Sequence, residues 1–216
     1  MEAVVLNLRI RDRVRLIVRD RIVSGHFKGG QHLEEVALAS DLGVSRTPLR
    51  EALFGLEEEG LVISRPHRGF VVAPADRQAV RDLYPILGSL EALAVETSNR
   101  ALRDDVSGLR LLNARLQTAR PDRAAAADRA FHVALRRRCP NQRLLDMLDR
   151  HEALAHRLDG AIRRGMADVP GSHDQHAIIV EAIAAGDFLG AAHAVRDHWR
   201  SGEQTVLAWL EQNDPR

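Results

Sequence analysis

One short window limits what this chain can fold into. Between residues 61 and 73, Leu61-Val62-Ile63 and Phe70-Val71-Val72 flank Arg65-Pro66-His67-Arg68-Gly69, two β-prone runs around a turn-forming segment. Elsewhere Ala, Leu and Arg dominate and aromatics make up only 4% of residues, a composition that favours helix. The window therefore predicts one β-hairpin in a mainly α protein. It divides the 216 residues into a segment of residues 1–75 and one of residues 76–216, each long enough for a small domain.

In the first segment Leu8, Val14, Leu16, Ile17 and Val23 recur at near-helical spacing, ended by Ser24-Gly25. A second short helix is expected over residues 33–41, stopping at Leu42-Gly43. A third opens at Ser45, a good N-cap, tolerates Pro48 in its first turn and runs to about Glu59, where Gly60 closes it. Leu49, Leu53 and Leu56 fall at i, i+4 and i+7 and predict one buried stripe. Helix, helix, four-residue turn, helix, hairpin is the order of a winged helix-turn-helix. Arg46, Thr47 and Arg50 lie away from the leucine stripe at the start of the third helix, where a recognition helix meets base edges. The arginine fork can bind guanine O6 and N7 together, Ser45 and Thr47 can hold phosphates, and Arg68-Gly69 stands at the hairpin tip, within reach of a groove. The alternative is an ordinary helix whose arginines pair with acids such as Glu51.

The second segment has no strand signal. Breaks at Arg103-Asp104-Asp105, Arg120-Pro121-Asp122, Pro140-Asn141, Pro170-Gly171 and Gly186-Asp187 cut it into six helical stretches, roughly residues 76–102, 105–119, 122–138, 141–166, 172–185 and 187–211. Connections this short predict an antiparallel helical bundle. Asp128 and His132 are i,i+4 on one helix, and His176 and His198 follow on the last two. Three imidazoles and a carboxylate can converge on a divalent transition ion, the imidazoles suiting Zn, Ni or Fe and the carboxylate extending the range to Mn. The alternative for the Asp128–His132 pair is a surface salt bridge. His151, His156 and His193 lie off this pattern, His173 neighbours it, and His26, His32 and His67 look solvated.

Charge excludes less than it promises. Thirty-one basic residues against 30 acidic give +1, so DNA binding must rest on a local arrangement of arginines. No apolar run reaches the ~18–20 residues of a membrane span, no secretory h-region follows Met1, and the single Cys139 excludes an intrachain disulfide. A cytoplasmic protein with no membrane partner is expected.

The string Glu35-x-x-Leu38-Ala39-x-x-Leu42-Gly43-Val44-Ser45-Arg46-Thr47-Pro48-Leu49-Arg50-Glu51-Ala52-Leu53-x-x-Leu56-x-x-x-Gly60 resembles the GntR family of bacterial transcription regulators. Gly25, Gly30-x-x-Leu33 and Arg65-x-x-Arg68-Gly69 match as well. The resemblance implies that Arg46 and Arg50 contact bases or phosphates and that Gly69 approaches the minor groove. Val36 departs from members with a further DNA-contacting arginine there.

Asp128-x-x-Phe131-His132-x-x-Leu135, Asn141-x-x-Leu144, His176-x-x-Ile179-x-x-Ala182-Ile183-x-x-Gly186-Asp187 and His198 resemble the ligand-binding bundle of the FCD branch, and six helices resemble its shorter, VanR-like subgroup. The resemblance implies one metal per chain (Zn, Ni or Mn) held by Asp128, His132, His176 and His198, and a small carboxylate effector completing its coordination. Many such proteins also carry an effector-binding arginine shortly before a Leu-Glu pair. Here Leu90-Glu91 follows Tyr84-Pro85-Ile86-Leu87-Gly88-Ser89, with no arginine. The implied protein is a repressor, not an enzyme, that binds an inverted-repeat operator in double-stranded DNA as a homodimer. The alternatives are a metal-dependent hydrolase fused to a DNA-binding module, or a DNA-binding protein with a purely structural metal.

Overall fold

The computed structural model describes residues 8–66, 68–74, 76–98, 100–165 and 171–213. The chain divides into two units, Met1–Ala75 and Asp76–Arg216. In the first, α1 (Ile10–Val23) is followed by β1 (His32–Leu33), α2 (Glu35–Asp41), α3 (Arg46–Glu58), β2 (Val62–Arg65) and β3 (Gly69–Val72). The leucine stripe packs as expected, with Leu49, Leu53 and Leu56 fully buried and α1 against α3. Ser45 holds the N-cap position in extended backbone, but its side chain makes no capping hydrogen bond. Gly60, at φ 72°, lets the chain reverse while Gly60 N–H donates to Glu57 O and Leu61 N–H to Leu56 O.

Three local expectations are corrected. The buried stripe of α1 is Val14, Val18 and Ile22, whereas Leu16 and Ile17 are 41% and 44% exposed. Apolar residues occupy two faces of this helix and only one lies against the core. Leu33 belongs to a strand, and α2 begins at Glu35, because β1 adds a third strand to the hairpin in the order β1-β3-β2. Two residues are too few for strand alternation to show in sequence. Finally, the strands pair up to Arg65↔Gly69, so Arg68 lies in the turn and Gly69 opens β3.

The second unit holds α4 (Arg77–Ser98), α5 (Arg100–Arg103), α6 (Val106–Gln117), α7 (Pro121–Arg136), α8 (Gln142–Gly165), α9 (Ser172–Ala185) and α10 (Phe188–Asn213). The expected first stretch is helical over both Arg77–Ser98 and Arg100–Arg103, residue 99 lying outside the described residues. Phe131, Leu135, Ile179, Ile183, Ala192 and Val195 join Ala92 and Val95 in one core. Backbones approach closely where α4 meets α10: a Cβ at Gly88 would sit 2.9 Å from the Trp199 Cβ. That contact brings Glu91, one turn further on, beside the side chains of α7 and α10. Among the described residues no helix is long and apolar enough to cross a membrane.

Candidate nucleic-acid interface and metal centre

Ser45, Arg46, Thr47 and Arg50 are exposed along the first turn and a half of α3, beside buried Leu49. Among the described residues Arg50 pairs not with Glu51 but with Glu35, whose Oε2 lies 3.6 Å from Arg50 Nε. The wing comes to the same place. Gly69, at φ 68°, has Glu35 Oε1 3.3 Å and His32 Nε2 3.4 Å from where a Cβ would stand. Arg68 is exposed in the turn, and its carbonyl accepts a hydrogen bond from His32 Nε2. His32 is exposed, as expected, and its Nδ1 lies 3.0 Å from Glu34 Oε1. His26 is exposed, and His67 lies outside the described residues.

In the second unit α7 supplies Asp128 and His132, α9 supplies His176 and α10 supplies His198. All four are buried, at 5%, 4%, 0% and 9% exposure, so the Asp128–His132 pair is no surface salt bridge. One ligand atom from each histidine lies within 4.8 Å of the others. Asp128 adjoins the group, its Oδ2 3.9 Å from His132 Nε2 and its Oδ1 3.8 Å from His176 Nε2. Phe131 stacks on the His176 ring with centroids 3.9 Å apart and fixes its plane.

Two acceptors orient the other rings. His132 Nδ1 donates to Glu91 Oε2 at 2.8 Å, and His198 Nδ1 donates to Gln175 Oε1 at 2.8 Å. Both Nε2 atoms are thereby turned towards each other, 3.3 Å apart. Trp199 Nε1 donates to the same Glu91 oxygen at 2.7 Å. Burial pushes the His132 pKa down, but the Glu91 carboxylate and its hydrogen bond, aided by Asp128 and Glu152, outweigh it and bring the value up to about 9. Burial likewise pushes Glu91 up, and His132, Trp199 and Arg136 more than reverse it, so Glu91 lies below the usual carboxylate range. The donor set fits a divalent transition ion: three imidazoles, one carboxylate, and oxygen acceptors behind two of the rings that hold Nε2 ready for the metal.

In the sequence Glu91 stands out only within a Leu-Glu pair, and Gln175 carries no signal. Glu91 did carry a signal, standing one turn from Leu87 and one from Val95 on a buried stripe where an apolar residue is expected. Among the described residues the remaining histidines stay outside the cluster. His193 is exposed, His151 is half-buried, and His173 lies 3.4 Å from the Asp174 carboxylate. The side chain of His156 lies outside the described residues. The buried Arg136 does not serve as a free anion site, since it donates to Asp149 at 2.8 Å and Glu152 at 2.7 Å.

Both units match known families. Residues 10–72 match the bacterial regulatory proteins of the gntR family, and residues 82–201 match the FCD domain. The chain is 40% identical over 89 residues to the Nta operon transcriptional regulator of Aminobacter aminovorans, a match covering 41% of this chain and only 42% of that protein. It is 30% identical over 220 residues to the putative L-lactate dehydrogenase operon regulatory protein of Escherichia coli K12, covering 90% of this chain and 85% of that one. A putative GntR transcriptional regulator from Rhodococcus sp. RHA1 superimposes with a TM-score of 0.73 at 26% identity, covering 92% of this chain and 97% of the other. Proteins of this kind are transcription regulators and not enzymes, which overturns the hydrolase alternative. The chain belongs to the GntR family of DNA-binding bacterial transcription regulators and carries the FCD domain in its second half.

Proposed function

We propose that this regulator is a ligand-responsive repressor in which residues 1–75 bind an inverted-repeat operator and residues 76–216 dimerise and receive a small carboxylate at a metal. Asp128, His132, His176 and His198 would hold one divalent ion, Zn, Ni or Mn, with Glu91 and Gln175 fixing the ring orientations. The observation that carries this reading is the buried histidine cluster, with ligand atoms within 4.8 Å, in a chain that also has a DNA-binding unit. Bound metal would supply a Lewis-acidic centre for an oxygen donor of the effector. The E. coli relative's name ties that protein to an operon for L-lactate dehydrogenase, whose substrate is a small carboxylate, and this supports the effector class.

The effector releases DNA only if it binds the non-operator arrangement of the dimer more tightly. Dimerisation follows from contact area: one recognition helix and wing cover part of a half-site, too little for tight binding at physiological salt. Light scattering should give twice the chain mass, and a panel of small carboxylates should include one that releases the selected operator from metal-loaded protein but not from protein stripped by chelation. A monomer that still binds a palindromic duplex tightly sinks the dimeric reading. A second reading has its own support, because a cluster at 0–9% exposure would let a metal bridge three helices as a purely structural part. Chelation that lowers the melting temperature while effector still releases DNA would favour it.

A further inference from the structure

An acid at the DNA-reading face needs an explanation. A carboxylate there repels phosphates and offsets an arginine that would otherwise add to affinity. Glu35 is such an acid, and it is not a solvated one. Its side chain is only 11% exposed, and Oε2 is shielded from water without a hydrogen-bond partner. It stands at the first position of α2 and touches both DNA-facing elements, with Oε2 3.6 Å from Arg50 Nε and Oε1 3.3 Å from the Cβ position of Gly69. Beside it, His32 bonds the carbonyl of Arg68 and closes the same corner of the wing.

We infer that Glu35 is a positioning residue for operator reading: it holds Arg50 by the Nε edge and backs the wing at Gly69, so that recognition helix and wing present one rigid surface. The Nε edge is the part of the guanidinium that a guanine contact can spare. With Nε facing Glu35, both Nη groups remain for O6 and N7, and the long side chain is ordered before DNA arrives. Lost affinity from the negative charge is thus exchanged for base discrimination. The inference rests on reading Arg50 as a base contact.

The test is a double-mutant cycle on the full chain with Glu35→Gln, Arg50→Ala and the double variant, Glu35→Gln keeping shape and removing charge. The probes are a duplex selected by the wild-type protein from a random library and a random-sequence duplex of equal length, with thermal melting run alongside to normalise to folded protein. Glu35→Gln should weaken the selected duplex about tenfold, as expected when one bidentate contact is disordered. It should tighten the random duplex slightly, because a repulsive charge is gone. In the Arg50→Ala background, Glu35→Gln should cost the selected duplex nothing further. If it tightens both duplexes equally, or costs the same tenfold without Arg50, the inference is overturned. If Arg50→Ala binds the selected duplex like wild type, the base-contact reading and the inference fall together. If only the Arg50 variant loses affinity, the inference falls alone.

Discussion

Leu53 and Arg46 lie on the same helix and should fail in opposite ways. Leu53 is fully buried on a helix that packs against α1, so Leu53→Ala should cost ~2–5 kcal/mol and unfold the first unit well before the second. Arg46 is exposed, so Arg46→Ala should leave that melting transition in place and weaken operator binding by ~1–3 kcal/mol. Calorimetry and gel shift on the two variants check this, and an Arg46→Ala protein that binds like wild type would remove that residue from the recognition helix's contacts. At this scale the sequence was legible where chemistry has a period. The leucine stripe, the arginines of α3 and the i,i+4 pair Asp128–His132 all follow from helical spacing. Glu35 gives no such signal, because an acid in the first turn of a helix is already favoured by the helix dipole. Its proximity to Arg50 comes from the α2–α3 turn and its proximity to Gly69 from β1, neither of which residue spacing encodes.

Elements were legible where their boundaries are chemical. The breaks at Asp104-Asp105 and Pro140 mark real helix ends, while β1 and the buried face of α1 depend on contacts made only after folding. Asp105 shows how such a junction is held. It precedes α6, and its two oxygens accept from Arg138 Nε at 2.7 Å and Nη2 at 3.0 Å, while Oδ1 also lies 2.7 Å from Arg137 Nη2. One carboxylate therefore ties the start of α6 to the end of α7. Those hydrogen bonds from Arg138 and Arg137 hold its pKa well below the usual carboxylate range. A depressed folded value stabilises above the unfolded pKa of ~3.9, and the contribution fades as pH falls through the folded value. Asp105→Asn should accordingly lower the melting temperature of the second unit slightly at pH 7. The difference from wild type should shrink steadily as the pH is brought below about 4. A gap that stays constant down to pH 2 would show that the effect is not this ion pair.

For the whole molecule, the mainly helical fold class was legible in composition and one hairpin, whereas the grouping of Asp128, His132, His176 and His198 came from the family resemblance and not from residue spacing. Asp128 and His132 share α7, whereas His176 and His198 arrive on helices 44 and 66 residues further on, and only bundle packing makes the three rings converge. The same packing makes the metal prediction testable. Elemental analysis of purified protein should find about one divalent transition ion per chain, as expected for one ligand set. His176→Ala and His198→Ala each remove the sole ligand of a helix and should abolish most of that content, while His151→Ala and His193→Ala should not. The pH dependence follows from Glu91. In metal-free protein His132 sits near 9, so metal binding at neutral pH must displace a proton and should strengthen as pH rises from 6 to 9. A folded pKa raised above 6.5 stabilises the metal-free fold fully below that value and loses the contribution as pH rises through about 9. Both effects have the same sign: the gain in melting temperature on adding Zn should be larger at pH 9 than at pH 6. Metal that leaves melting equally raised at both values, or that remains bound in His176→Ala and His198→Ala, would mean that the ion sits somewhere other than this cluster.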